Sequence, residues 1–107
     1  MWSVIVDTEV DKFIDGLELP AQSKSLSVLK LLGEYGPLIR EPHSKKISGY
    51  RNLFELRTSG RSPIRMFYTV VNQKFYILHA ITKKTDKTPI REINTALKRL
   101  AAIDTSK

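Results

Sequence analysis

Cysteine is absent from this sequence, which excludes a disulfide framework, a thiolate zinc site and a cysteine nucleophile. Histidine occurs only twice, at His43 and His79, and the eleven acidic residues are scattered. A metal-dependent nuclease needs clustered carboxylates or histidines to hold its ion, so neither a metal site nor a resident cofactor is expected. HExxH, EF-hand and glycine-rich phosphate-binding motifs are all missing. No window approaches the roughly 18 apolar residues of a membrane span, and the N-terminus has no basic region followed by a long apolar run. The expectation is a protein without a membrane span or signal peptide, working in the cytoplasm.

What remains is an ordinary globular composition, 41% hydrophobic and 27% charged over 107 residues, which suits one domain spanning 1–107. The net charge is +7 and unevenly spread. Residues 1–42 carry four Lys/Arg against seven Asp/Glu, whereas residues 43–107 carry fourteen against four. Such an asymmetry is the footprint of a nucleic-acid-facing surface, and it is also compatible with a merely solubilising one.

The stretch from Arg51 to Thr88 organises the chain. It reads as three strands alternating apolar and basic residues, broken by turn signals at Ser59-Gly60 and Asn72-Gln73, and an antiparallel meander is the simplest pairing. Side chains alternate across a strand, so Arg57 shares a face with Glu55, Arg65 with Phe67, and His79 with Ile81 and Lys83. If the three faces coincide, Arg57, Arg65, His79 and Lys83 converge; a one-residue slip would scatter them. The third strand, Lys74 to Thr82, is apolar on both parities, as a strand covered on both faces should be.

Before the meander, alternating Trp2, Val4 and Val6 predict a strand. Thr8 reads as the N-cap of a short helix, with Asp11 in the capping-box position and Val10, Phe13, Ile14 and Leu17 at helical spacing. Pro20 restarts the chain into a second helix, Ala21 to Tyr35, with an apolar stripe of Leu26, Val28, Leu29, Leu31, Leu32 and Tyr35. Gly36 and Pro37 end it, and Leu38 to Ser44 reads as a loop. After the meander, Thr88 reads as an N-cap before Pro89, and Ile90, Ile93, Leu97 and Leu100 give a final helix its apolar face. The tail Asp104 to Lys107 is expected to fray. The fold class is therefore α+β: an N-terminal strand and a helical hairpin packed on a largely antiparallel sheet, then a C-terminal helix.

Without a metal, RNA offers a route to cleavage because it carries its own nucleophile in the 2′-hydroxyl. Fixed cations stabilise the charge that develops on the attacked phosphate, and a histidine suits proton transfer near neutral pH. Each candidate also has a plainer reading. Arg57 reads as well as a partner of Glu55 or a solvated charge, His79 as a satisfied core imidazole, and Lys83, Lys84 and Lys87 as a solvated turn. Arg65, inside an apolar strand, needs a partner or an open cleft.

Several runs in order resemble one family: Gly49 to Arg57 (GYRNLFELR), Ile64 to Tyr68 (IRMFY), Leu78-His79-Ala80, and Lys83 to Pro89 (KKTDKTP). Their residues and spacing are similar to the phage-derived, HigB-like branch of the RelE/ParE toxin superfamily, along nearly the whole chain. The resemblance implies a RelE-like single domain and the toxin half of a type II toxin–antitoxin system. It also implies a ribosome-dependent endoribonuclease that cuts mRNA and stops translation. On matching positions it makes Arg57, Arg65 and the Lys83/Lys84 pair the catalytic cations, and Lys45, Lys46, Arg51 and Lys87 part of the RNA- or ribosome-binding surface. The implied partners are the ribosome, mRNA and a cognate antitoxin with a helix-turn-helix DNA-binding domain. Several relatives place a His or Tyr near the C-terminus for proton transfer, whereas this chain ends in Leu100-Ala101-Ala102-Ile103 and a polar tail; His79 is the substitute, with Tyr68 behind it. Two other functions share this fold: a ParE-like inhibitor of DNA gyrase that acts by protein contact, and a phage interaction protein without chemistry.

Overall fold

The computed structural model describes residues 1–85 and 87–103. The order of elements is β1 (Ser3–Val6), α1 (Thr8–Asp15), α2 (Leu19–Tyr35), a 3-10 turn (Gly36–Leu38), β2 (Ser44–Lys46), β3 (Phe54–Arg57), β4 (Ile64–Val71), β5 (Lys74–Thr82) and α3 (Ile90–Ala101). Five strands form one sheet in the order β1-β5-β4-β3-β2, antiparallel throughout except for β1, which runs parallel to β5. The expected α+β architecture is present, with the helical hairpin on one face and α3 on the other.

Both faces of the sheet are covered because β4 and β5 are apolar on both parities. Leu56, Met66, Phe75, Ile77 and Ala80 pack under α1 and α2 with Val10, Ile14, Val28 and Leu32. Phe67 and Leu78 pack under α3 with Ile93 and Ala96. Burial of these side chains, each contributing about 1.5–3 kcal/mol for the larger ones, fixes the register. A register shift between Phe67 and Tyr68 leaves Leu78 unpaired on β5, so Leu78 and His79 both turn toward the α3 side. Asn72 and Gln73 form the β4–β5 turn with φ of 52° and 65°, the left-handed pair a tight hairpin demands.

Several boundaries differ from expectation. Asp7, not Thr8, caps α1, its carboxylate accepting from the Glu9 amide at 2.9 Å. Asp at this position does what Thr would do and adds a negative charge to the helix N-terminus. Pro89, not Thr88, is the N-cap residue of α3. On α2, Val28 and Leu32 are buried, while Leu26 and Tyr35 of the expected stripe are exposed. The segment read as loop ends in the short edge strand β2, whose Ser44 pairs with Leu56. The expected fraying of residues 104–107, and Asp86 within the KKTDKTP run, lie outside the described residues.

Candidate active site

The pairing of β3 with β4 sets the centre of the site. Arg57 is directly opposite Arg65, and Arg65 is opposite Ile81 on β5, so the expected common face exists. Two like charges in register repel and need a shared counter-ion. Glu55, two residues before Arg57 on the same face, supplies it: its Oε1 lies 3.0 Å from Arg57 Nε and 3.7 Å from Arg65 Nε. The carboxylate is buried, as is Arg65, while the Arg57 side chain is a quarter exposed. Arg65 also donates to the carbonyls of Thr58 and Ile64, both at 3.4 Å. Burial, then the adjacent charge of Arg57, push the Arg65 guanidinium below its ordinary value, and Glu55 opposes them. Glu41, on the loop before β2, lies 3.9 Å from Arg57 NH1.

Three of the four residues expected to converge meet in one cavity. Arg57, Arg65 and Lys83 line a cleft of about 790 Å³ together with Lys24 and Val28 of α2, the Pro42-His43 loop, and Thr58-Ser59 beyond β3. The Lys83 amide donates to the Pro63 carbonyl at 2.8 Å, which ties the end of β5 to the start of β4 and so places Lys83 near Arg65. Lys24 Nζ is held by the Ser59 carbonyl at 3.1 Å. The cleft thus presents four cations, two of them within ion-pair distance of the buried Glu55 carboxylate, with an aliphatic wall from α2.

His79 is placed elsewhere. Its opposite residue is Phe67, and Phe67 is opposite Glu55, so a fully buried ring lies between the imidazole and Glu55, and His79 stands two residues away from the row that holds Arg57 and Arg65. The two rings stack with centroids 5.9 Å apart. His79 Nε2 is 2.8 Å from Glu92 Oε1, and its Nδ1 is 3.3 Å from Arg99 NH1, so both nitrogens are engaged. The bond from His79, against burial, holds the Glu92 carboxyl below the usual glutamate range. His79 lines an adjoining cleft with Lys83, Lys84, Lys87 and Arg91, and Lys83 is the residue the two clefts share.

The remaining positions form the surroundings. Lys45 and Lys46 are exposed on the β2 edge and border a third cleft with Arg40 and Tyr68. Tyr68 is buried, its hydroxyl 2.6 Å from Ser44 Oγ; burial raises its phenol above the ordinary value and that bond opposes the rise. Arg51 is exposed on the turn before β3. Among the described residues there is no group of three or more metal-ligating side chains, and no helix is long and apolar enough to cross a membrane.

Sequence reasoning did not single out His43 or Lys24 for this cleft. The signal for His43 was the short span from Ser44 to Leu56, enough for one more antiparallel strand at the edge of the meander. Lys24 depends on how α2 crosses the sheet, which spacing alone does not fix.

Comparison with known proteins follows the same architecture. A family model described as "Phage derived protein Gp49-like" matches residues 12–101. No curated protein matches the chain. Among solved structures, the Escherichia coli toxin RelE, a mutant with two arginines changed to alanine, in the free state, aligns with a TM-score of 0.69 at 17% identity. The alignment covers 92% of this chain and 97% of that one, so the two share their fold.

Proposed function

Because the chain belongs to the Gp49-like family of phage-derived proteins and has the fold of RelE, we propose that it is the toxin of a type II toxin–antitoxin pair, acting as a ribosome-dependent, metal-independent mRNA endoribonuclease. The observation that carries this reading is the registered Arg57–Arg65 pair, within ion-pair distance of Glu55 and opening with Lys83 into one cationic cleft. A free carboxylate cluster would repel a phosphate, and a lone surface lysine would not orient one. Two guanidinium groups in register, both within ion-pair distance of one buried carboxylate, favour both binding and orientation, because a planar fork suits bidentate contact with a phosphate.

In the proposed reaction the 2′-oxygen attacks the adjacent phosphorus, the bond to the 5′-oxygen breaks, and a 2′,3′-cyclic phosphate and a 5′-hydroxyl result. Arg57, Arg65 and Lys83 stabilise the negative charge on the phosphoryl oxygens and the leaving oxygen. DNA, lacking the 2′-hydroxyl, is not cut. Lys84 and Lys87 extend the cationic surface on one side of Lys83, and Lys45, Lys46 and Arg51 extend it near the β2 edge toward mRNA or ribosomal RNA. His79, the residue expected to move the proton, would have to give up Glu92 or Arg99 to do so. The antitoxin is proposed to be a small protein with a helix-turn-helix domain, and the site of action the cytoplasm.

The test is induction of the wild-type chain, Arg65→Ala and Lys83→Ala in bacteria, with mapping of new mRNA 5′-ends. New ends that depend on translation, and a loss of about 10²–10³-fold in each folded variant, are expected. The Lys83 ammonium has no ion-pair partner among the described residues, so its removal is not expected to unfold the protein. Growth arrest with intact mRNA would overturn the nuclease reading and point to a protein target such as gyrase.

A further inference from the structure

The cationic cleft holds three of the expected groups but not the expected histidine, and a different histidine is there. His43 lines the cleft with Arg57, Arg65 and Lys83. Its position follows from the ladder: Ser44 is opposite Leu56, so His43 stands one step further along, beside Arg57, and its carbonyl accepts the Arg57 amide at 2.8 Å. The row across this end of the sheet is thus His43, Arg57, Arg65, Ile81, with Lys83 two residues on. His43 is anchored through its backbone alone, its amide bonding the Arg40 carbonyl at 3.0 Å. Its side chain is exposed, and the ring has no hydrogen-bond partner among the described residues. His79 is the opposite case, half-buried, stacked on Phe67 and bonded at both nitrogens.

We propose that His43 is the proton-transfer residue of the cleft, the general base that takes the proton from the RNA 2′-hydroxyl. This rests on the endoribonuclease reading above. In the step, the 2′-proton passes to the neutral imidazole as the bond from the 2′-oxygen to phosphorus forms. The bond from phosphorus to the 5′-oxygen breaks, the leaving oxygen takes a proton from water, and the imidazolium then returns its proton to the resulting hydroxide. No net proton is consumed and no metal is needed. The charged groups that share the cleft are Lys24 of α2, Arg57 of β3, Arg65 of β4 and Lys83 after β5, with Glu41 two residues before His43 bordering Arg57. A phosphate drawn to Arg57 and Arg65 brings its ribose to the row where His43 stands, so a free imidazole meets the nucleophile without breaking any existing bond.

The experiment measures single-turnover cleavage of ribosome-bound mRNA by wild-type protein and by His43→Gln across a range of pH, with circular dichroism and thermal unfolding as fold controls. Glutamine keeps a polar side chain of similar reach on an exposed loop but transfers no proton. The expected result is a wild-type rate that rises with pH, and a folded His43→Gln variant slowed by about 10²-fold or more that lacks this rise. A His43→Gln rate within a few-fold of wild type, with the same pH dependence, overturns the inference and leaves the nuclease reading standing. If the wild-type protein cuts no RNA, the nuclease reading fails first and this inference with it.

Discussion

At the scale of single residues, Glu55 decides whether the cleft exists. It sits between two registered arginines, buried itself, and each guanidinium lies within ion-pair distance of the same oxygen. Taking the carboxylate away leaves two cations side by side, one of them buried with Arg57 as its neighbour. Removing one partner of a buried ionic group costs far more than an exposed pair is worth, because the uncompensated charge stays behind. Glu55→Gln, which keeps the shape and removes the charge, is therefore expected to destabilise the fold by about 3 kcal/mol, read as a lowered urea midpoint with an unchanged slope. An unaltered midpoint would show that the arginines hold their places without the clamp. Strand parity in the sequence put Glu55 and Arg57 on one face, so that part of the site was legible, and it joined Arg65 to them only on the condition that the strand faces coincide. That Glu55 binds both arginines was not legible, since it depends on the register between β3 and β4, which no single strand specifies.

Among the elements, α3 and β5 form the second polar junction. The Glu92 carboxylate of α3 meets His79 of β5 at 2.8 Å, Arg99 reaches back to the Leu78 carbonyl at 2.8 Å, and Ile93 and Ala96 pack on Phe67 and Leu78 beneath them. Glu92 is held below the ordinary glutamate range, first by the bond from His79, with burial opposing. A carboxyl whose folded value is depressed stabilises the fold above its unfolded value, and that contribution disappears as the pH falls through the depressed one. Urea unfolding across this acidic window should show wild-type stability falling more steeply than that of Glu92→Gln, the two curves converging at the acidic end. Parallel curves would mean that the junction adds nothing to the docking of α3. The sequence announced α3, β4 and β5 within a residue or so, because their apolar spacing is long and regular. It was silent on β2, three residues with one buried position, because so short an edge strand carries no periodicity and exists only by pairing with β3. That silence also hid His43, whose place beside Arg57 follows from the same pairing. His79 misled for a related reason: its parity was right, but it stacks on Phe67, bonds Glu92 and Arg99, and lines the adjoining cleft rather than the one that holds the arginines.

For the whole molecule, the charge asymmetry becomes a surface. The acidic N-terminal segment builds β1 and the helical hairpin, while the basic remainder builds the sheet edge and the turn after β5. Lys83 joins the arginine cleft to the cleft bearing Lys84 and Lys87, so the cations form a continuous track rather than a scatter. A track that follows a nucleic-acid backbone binds by releasing counter-ions, and its affinity falls with salt in proportion to the phosphates neutralised. A solubilising surface has no such proportionality. Binding of a single-stranded RNA, uncleavable through 2′-deoxy substitution, is therefore expected to weaken linearly on a log–log plot against salt. Lys84→Ala combined with Lys87→Ala should reduce that slope by about 1.4, at ~0.7 for each single-strand phosphate no longer neutralised. Both lysines are exposed, so the fold is not at stake. An unchanged slope would confine the RNA to the arginine cleft, and the charge beyond Lys83 would then serve solubility alone.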